Sequence, residues 1–216
     1  MQKKIKSVIT GDIIGYSKLS PAKRNFTQES LKDFLKDKDN DSNVFELYRG
    51  DSFQGVINKV EAALKYALMI RLKLKSFSFS SEQQRNSLLD ARIAIGIGKI
   101  DSIKKNVLES DGEAFRNSGP LLDSMVSIER LKIKSPWKEF NSEFELTLNL
   151  LDVIVKSLTP SQSEVLLEKL SGHTQQEMAE KLKISQPAVF QRLKAAKWYV
   201  IEQTLQRYEE SLKSYY

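Results

Sequence analysis

Apolar side chains follow a strand period at two places in the first half of the chain. Residues 4–10 alternate apolar and polar side chains, which predicts a strand that opens into a glycine-flanked turn over residues 11–17. Residues 91–98 are apolar and small, which predicts a buried strand that allows close backbone approach. Between these strands the pattern predicts two helices and a hairpin, at residues 23–36, 59–75 and Gly50-Asp51. This order is the ferredoxin-like (palm-type) arrangement, so we expect an α+β domain over residues 1–131.

The second half of the chain has a helical period throughout. Residues 144–155 form an apolar helix within a connecting segment, 132–157, which is too apolar to be a free linker. This helix either packs the last domain onto the first or forms a dimer seam. Residues 158–216 predict an all-α domain that ends in a long helix with an aromatic and aliphatic stripe, which favours core or interface packing over base stacking.

Residues 174–193 predict a helix-turn-helix. Met178, Ala179 and Leu182 would form the buried face of its first helix, since they recur at three- and four-residue spacing. Ser185 is a typical N-cap for the second helix, and Pro187 falls in the first turn, where a missing N–H is tolerated. A motif of this kind commonly places its second helix in the DNA major groove.

The polar side chains around the second helix suit DNA. Gln and Arg can form paired hydrogen bonds with base edges, and Lys suits phosphates. A plain solvated helix face is the alternative. Under the DNA hypothesis the base-facing residues are Ser185, Gln186, Gln191 and Arg192, and the phosphate-neutralising residues are Lys181, Lys183, Lys194 and Lys197.

The segment from residue 158 to about 200 resembles the C-terminal DNA-binding region of sigma factors and the related LuxR-type domains. The resemblance rests on Leu158-Thr-Pro at the start of a helix, on Gly172 after it, and on Thr174-Gln-Gln-Glu-Met-Ala. Thr159 would cap that helix, with Pro160 at its first position. Lys183 departs from the pattern, because many such motifs carry Gly in the turn.

Two aspartates in the N-terminal domain are candidate metal ligands. Asp12 ends the first predicted strand and Asp51 lies in the hairpin turn, and a ferredoxin-like sheet places these two elements side by side. Neighbouring carboxylates can hold Mg²⁺ or Mn²⁺ against a triphosphate. An ordinary Gly-Asp hairpin turn is the structural alternative.

Four segments in order resemble the SatD family of bacterial proteins and, more distantly, the palm-like domain of class III nucleotidyl cyclases and diguanylate cyclases. They are Gly11-Asp-Ile-Ile-Gly-Tyr-Ser, Arg49-Gly-Asp-Ser-Phe-Gln-Gly, Arg92-Ile-Ala-Ile-Gly-Ile-Gly and Asp111-Gly-Glu-Ala-Phe-Arg. The resemblance implies that Asp12 and Asp51 are metal ligands. It also implies that Ile13 offers its backbone carbonyl to the metal. The glycines around the two aspartates, Gly11, Gly15 and Gly50, would let the backbone approach the phosphates of a nucleotide, and Arg116 could also meet a phosphate.

The chain departs from the cyclase pattern at two places. Leu47 stands where a cyclase commonly has Lys or Glu to read the purine, three residues before the hairpin glycine. Arg116 and Asn117 are out of register with the transition-state residues of a cyclase. A palm that binds a nucleotide without turnover, or that only dimerises, is therefore at least as well supported as a cyclase.

Composition limits the remaining chemistry. The 216 residues include no cysteine and one histidine, His173, which argues against disulfides, thiolate metal sites and histidine-based triads. A net charge of +6 suits a nucleic-acid binder. The sequence has no apolar run near the roughly 20 residues of a membrane span, and its first residues do not form a signal peptide. We therefore expect a cytoplasmic protein without a membrane partner.

Together these patterns predict a DNA-binding transcriptional regulator. Its N-terminal domain would bind a ligand or mediate dimerisation, and its partners would be double-stranded DNA, a nucleotide ligand and a second copy of the chain. The alternative is an enzyme, a divalent-metal-dependent nucleotidyl cyclase or transferase that uses Asp12 and Asp51. A third hypothesis is that the helix-turn-helix binds a protein instead of DNA.

Overall fold

The structure, a computed structural model, describes residues 5–37, 43–79, 89–104 and 107–215. Within these ranges the chain forms a mixed α+β domain followed by a helical region. The strands are β1 (Ile5–Ile14), β2 (Val44–Tyr48), β3 (Ser52–Ile57), β4 (Asp90–Ser102), β5 (Asp111–Gly112) and β6 (Leu131–Lys134). The helices are α1 (Pro21–Asp37), α2 (Ala63–Ser76), α3 (Glu113–Ser124), α4 (Lys138–Ser157), α5 (Pro160–Leu170), α6 (Gln175–Leu182), α7 (Gln186–Ala195) and α8 (Trp198–Leu212). No described helix is both long and apolar enough to cross a lipid bilayer.

The strands form one sheet in the order β2-β3-β1-β4-β5, and β6 also pairs with β4. All neighbours are antiparallel except β6, which runs parallel to β4. The central strand β1 pairs on both sides along most of its length, so it runs through residues 11–14 instead of ending in a turn there. Asp12 consequently lies inside a strand, opposite Ser52 on β3 and Arg92 on β4.

Helices cover both faces of the sheet. Alternate residues of β4 point to opposite faces, as the pleat requires. Ile93, Ile95 and Ile97 pack in the main core with α1 and α2. On the other face α3 lies so close to β4 that a Cβ on Gly96 would stand 2.1 Å from the Ala114 carbonyl oxygen. A small residue at this position therefore sets how closely α3 approaches the sheet.

The helical region shares its core with the sheet domain. One apolar cluster runs from Ile9 on β1 to Leu212 on α8. Helix α5 packs against α2, and the Tyr208 hydroxyl on α8 donates a hydrogen bond to the Val60 carbonyl at 3.2 Å. Helix α4 contributes a buried face to this cluster, formed by Phe140, Phe144, Leu148, Leu151 and Val155. The α4 helix thus packs the last helices onto the first domain, one of its two expected roles. The domain boundaries at 131 and 157 stay a prediction.

Candidate nucleic-acid interface

Capping boxes fix the starts of α5 and α6. The Thr174 hydroxyl accepts a hydrogen bond from the Glu177 N–H at 3.3 Å, and Glu177 Oε2 accepts one from the Thr174 N–H at 2.7 Å. These reciprocal bonds satisfy amides that a helix start otherwise leaves unpaired. The hydrogen bonds from the Thr174 backbone and hydroxyl also lower the pKa of the Glu177 carboxyl. Thr159 and Gln162 repeat the motif at α5, with Pro160 first in the helix as the sequence predicts.

A left-handed residue makes the turn between α6 and α7. Lys183 has φ 53° and ψ 46°, a conformation that favours glycine. Its N–H donates to the Glu180 carbonyl at 3.3 Å, and the next N–H, of Ile184, donates to the Ala179 carbonyl at 3.0 Å. Lysine therefore takes the backbone conformation that glycine usually supplies in this turn, and Ile184 packs against the core.

Helix α7 is held against α5 and α6 by a narrow apolar face. Val189 and Leu193 are buried there, and so are Met178 and Ala179 on α6. The Ser185 hydroxyl accepts a hydrogen bond from the Ala188 N–H at 3.3 Å, which makes Ser185 the N-cap of α7 as predicted. These contacts fix the orientation of the second helix on a small three-helix unit.

The opposite face of α7 is open to solvent. At 100° per residue, Gln191 and Lys194 lie opposite the buried pair, and both are exposed. Gln186 is exposed at the first position of the helix, whereas Arg192 lies on a flank and is half-buried. The sequence reasoning missed Phe190, which is 49% exposed on the same outward side. Its position one residue after buried Val189 could have revealed it on a helical wheel.

The four candidate phosphate-binding lysines differ in their surroundings. Lys183, Lys194 and Lys197 are exposed, and Lys197 takes a left-handed conformation (φ 58°) just after α7. The Lys181 ammonium instead pairs with Glu168 Oε2 at 2.8 Å. His173 Nδ1 lies 2.9 Å from the same carboxylate oxygen, which gives the single histidine a local structural contact in the loop before α6. Phosphate binding by Lys181 would compete with this pair.

The candidate metal ligand Asp12 is engaged by an arginine. Arg92 Nε donates to Asp12 Oδ1 at 3.1 Å, and Arg92 Nη2 bonds Asp12 Oδ2, so both carboxylate oxygens are used. This pairing raises the pKa of Arg92. A cation bound at Asp12 would have to displace the guanidinium. Among the described residues no group of three or more His, Cys, Asp or Glu side chains is placed to hold a metal. A metal site at Asp12 and Asp51 stays a prediction.

Asp51 lies near Asp12 at the same end of the sheet. Its carbonyl accepts a hydrogen bond from the Ile13 N–H at 2.8 Å, which ties the hairpin turn to β1. Burial raises the pKa of Tyr48, and the charges of Asp12 and Asp51 add to this rise. Both carboxylates therefore act on the same phenol. The structure brings the two predicted aspartates to one region.

Packing and backbone conformation explain the glycines of this region. A Cβ on Gly11 would stand 2.5 Å from the buried Phe53 ring, so the packing of that ring requires glycine there. Gly15 and Gly50 have φ of 83° and 84°, and Gly50 occupies the predicted hairpin turn. These observations account for the glycines without a phosphate.

Arg116 is not brought to the aspartates. Its guanidinium pairs with Asp111 at 2.7 Å and with Asp101 at 3.3 Å, near the far end of β4. Asp12 lies opposite Arg92, nine residues earlier on that strand, which corresponds to about 30 Å. An arginine side chain does not span that distance. The structure therefore separates Arg116 from Asp12 and Asp51.

Comparison with known protein families finds a match in the C-terminal part of the chain. The model for sigma-70, region 4 matches residues 148–199. This segment begins within α4 and includes α5, α6 and α7, so it contains the whole helix-turn-helix unit described above. The match supports a helix-turn-helix region with a DNA-binding, regulatory role. No curated protein matches the chain.

Proposed function

We propose that the chain binds duplex DNA as a transcriptional regulator, with α7 in the major groove. The observation that carries the proposal is the polar, exposed face of α7 on a helix-turn-helix unit that is similar to sigma-70 region 4. Gln191 and Lys194 lie on this face and Gln186 at its start, while Lys183 and Lys197 flank the two ends of the helix.

The contacts divide into base reading and phosphate binding. A glutamine amide can both donate to and accept from an adenine edge, so Gln186 and Gln191 are the first candidates for sequence reading. Arg192 can reach a base edge only from the flank of the helix, and Ser185 already serves as the cap. Lys183, Lys194 and Lys197 are suited to phosphates.

Fluorescence anisotropy with a labelled mixed-sequence duplex tests the proposal. Lys194→Ala should weaken binding and reduce the slope of log K against log salt by about 1, since one phosphate contact is lost. Lys32→Ala is the matched control, because it removes one exposed positive charge from α1, outside the helix-turn-helix. Equal losses in the two variants would show only a net-charge effect and refute the assigned interface.

Base reading requires a selected sequence. The Gln191→Ala variant should bind the duplexes that wild type enriches from a random pool about 1–3 kcal/mol more weakly than wild type does. Its binding to mixed-sequence duplex should change little. If the wild type enriches no sequence and binds no duplex at low salt, the helix-turn-helix is a protein-binding module, the third hypothesis above. A DNA partner implies the cytoplasmic location expected from the sequence, which stays a prediction.

For the N-terminal domain, the strand order β2-β3-β1-β4 is the order of a ferredoxin-like sheet, which supports that part of the proposal. Paired positions align Tyr48, Ser52, Asp12 and Arg92 as a polar row across these four strands. We propose that this row binds a ligand, without catalysing a reaction on it. Titration with ATP, GTP, CTP and UTP, with and without Mg²⁺ or Mn²⁺, tests it. Binding that survives in Asp12→Asn, or no binding at all, would refute a role for this row.

A further inference from the structure

Helix α4 has a second apolar face that points into solvent. Leu146, Leu150 and Val153 recur at i, i+4 and i+7, the spacing of one helical stripe, and they are 65%, 60% and 66% exposed. The buried face of the same helix lies on its opposite side, where Phe144, Leu151 and other apolar residues enter the core. The packing of α4 within the chain is therefore complete without this stripe.

The apolar surface continues beyond the helix. Lys156 Nζ donates to the Ile128 carbonyl, which places the loop with Val126 and Ile128 beside the C-terminal end of the stripe. These two side chains are 56% and 73% exposed. On the flank of α4 that carries Glu145 and Asn149, about 100° around the helix from the stripe, a groove of about 390 Å³ has a floor that includes Leu131, Ile133 and Leu148.

The area of this patch is that of a large apolar patch on a protein surface. Five aliphatic side chains with more than half of their surface exposed amount to an apolar patch on the order of 400 Å². Patches of roughly 300–600 Å² are the largest on ordinary monomers and are often functional. This is about half of the roughly 800 Å² that each partner buries in a standard interface, so polar residues around the patch would have to supply the other half.

Charges beside the stripe indicate which partner covers it. Glu145 and Lys156 flank the stripe on one side of α4, because eleven residues correspond to about three full turns. In an antiparallel pair, residues at equal distances on either side of the centre face each other. The centre of Glu145 and Lys156 lies between residues 150 and 151, within one residue of the centre of the stripe, between 149 and 150. An antiparallel copy of α4 centred on the stripe would therefore set each Glu145 close to the partner's Lys156, twice by symmetry. The Lys156 ammonium already contacts Asp152 and the Ile128 carbonyl within the chain, so its third donor would meet the partner's Glu145.

We propose that α4 is the two-fold interface of a homodimer, in which the stripe of Leu146, Leu150 and Val153 packs antiparallel against the same stripe of a second copy. The C-terminus of α4 leads through Leu158 directly into α5, so this interface would fix the orientation of the two helix-turn-helix units. The sequence analysis expected two copies because dimers read paired DNA half-sites. The α4 stripe is a surface through which two copies could associate even without DNA.

Light scattering after size exclusion tests the proposal on the full chain without DNA. Wild type at about 100 μM, well above a micromolar Kd, should have the mass of two chains. Leu146→Glu with Leu150→Glu should give the mass of one chain with an unchanged circular dichroism spectrum, because both side chains are mostly outside the core. Ile103→Glu is the matched control, since Ile103 is 41% exposed on the loop after β4. A wild type of single-chain mass, or a dimer that survives the double substitution, would overturn the proposal.

A cysteine variant tests the antiparallel register. The chain has no cysteine, so Leu150→Cys introduces the only thiol, and it would lie next to its symmetry mate. Oxidation should then link two chains, because a disulfide needs Cα atoms about 4.4–6.8 Å apart. Ile103→Cys should not link. A dimer of Leu150→Cys that never links would reject the antiparallel register. If the wild type has the mass of two chains but binds no DNA, the DNA-binding proposal fails and the dimer proposal stands.

Discussion

Arg71 should be among the side chains whose removal most destabilises this protein. It is completely buried on α2, and its guanidinium makes three ionic contacts at 2.8 Å. Two of these are hydrogen bonds to both oxygens of Asp90 on β4, and the third is to Asp152 on α4. Arg71→Met retains most of the aliphatic stem and removes the charge, so two buried carboxylates lose their shared partner.

The expected cost follows from what the carboxylates retain. Asp152 keeps its ion pair with Lys156 Nζ at 2.8 Å, whereas Asp90 keeps a hydrogen bond from the Ala91 N–H at 2.8 Å. Breaking a buried ion pair from one side costs about 3–5 kcal/mol. Native proteins are stable by roughly 5–15 kcal/mol, so the variant should be marginally folded. Arg116→Met is the control, because its exposed pairs should contribute no more than about 1 kcal/mol.

Urea unfolding followed by circular dichroism measures both variants. A third variant combines Arg71→Met with Asp90→Asn and Asp152→Asn, which removes the uncompensated charges and leaves amide oxygens as acceptors. It should recover at least about half of the loss, since the cost arises mainly from unpaired buried charge. If Arg71→Met costs no more than Arg116→Met, the reasoning fails. If the triple variant is no more stable than Arg71→Met, the cost comes from lost packing instead of charge.

Three further measurements test other parts of the structure. Burial alone would raise the pKa of Asp90, but the charge and hydrogen bond of Arg71, together with Lys75 and the Ala91 N–H, lower it. The ionised Asp90 carboxylate therefore contributes its full stabilisation above the unfolded pKa of about 3.9, and this contribution declines as pH falls through the folded pKa. The unfolding free energy should consequently depend less steeply on acid pH in Asp90→Asn than in wild type. Thr174→Ala should cost about 1 kcal/mol in urea unfolding through loss of the α6 cap, and a neutral result would mean that the cap contributes nothing. Gly96→Ala should lower the melting temperature because its Cβ would lie 2.1 Å from a backbone oxygen, while Gly119→Ala, with open space around it, is the control.

The parts of the fold that the sequence predicts well depend on local chemistry. The helix-turn-helix follows from caps, a turn and a short apolar stripe within about twenty residues, and each of these acts over one helical turn. The hairpin at Gly50 is equally local. By contrast, Asp12 was expected in a turn but lies within β1, because pairing with Ser52 and Arg92 on both sides extends that strand. Strand partners so distant along the chain cannot be recognised from the local pattern of apolar and polar residues.

The same distinction explains the candidate sites. Sequence spacing correctly suggested that Asp12 and Asp51 share one end of the sheet, but it could not show that Arg92 occupies the Asp12 carboxylate. It also grouped Arg116 with them, although Arg116 pairs with Asp101, nine positions further along β4 than Arg92. On α7, periodicity placed Gln191 correctly outward and missed Phe190 at the edge of the same face. Linear patterns identify which side chains are polar and exposed, whereas ion pairs between strands decide which of them are free to bind.

Helix α4 packs the last helices onto the sheet domain, and its outer face leaves room for the second role expected from the sequence, a dimer interface. An apolar stripe covers about a third of a helix, and α4 has apolar residues on two opposite sides. The inner side packs with the sheet domain and also carries Asp152, whose contact with Arg71 joins α4 to α2 and β4. The outer side remains for a second chain. Because α4 continues into the helix-turn-helix, a change in the sheet domain that shifts Asp152 would move the proposed dimer interface and the helix-turn-helix together.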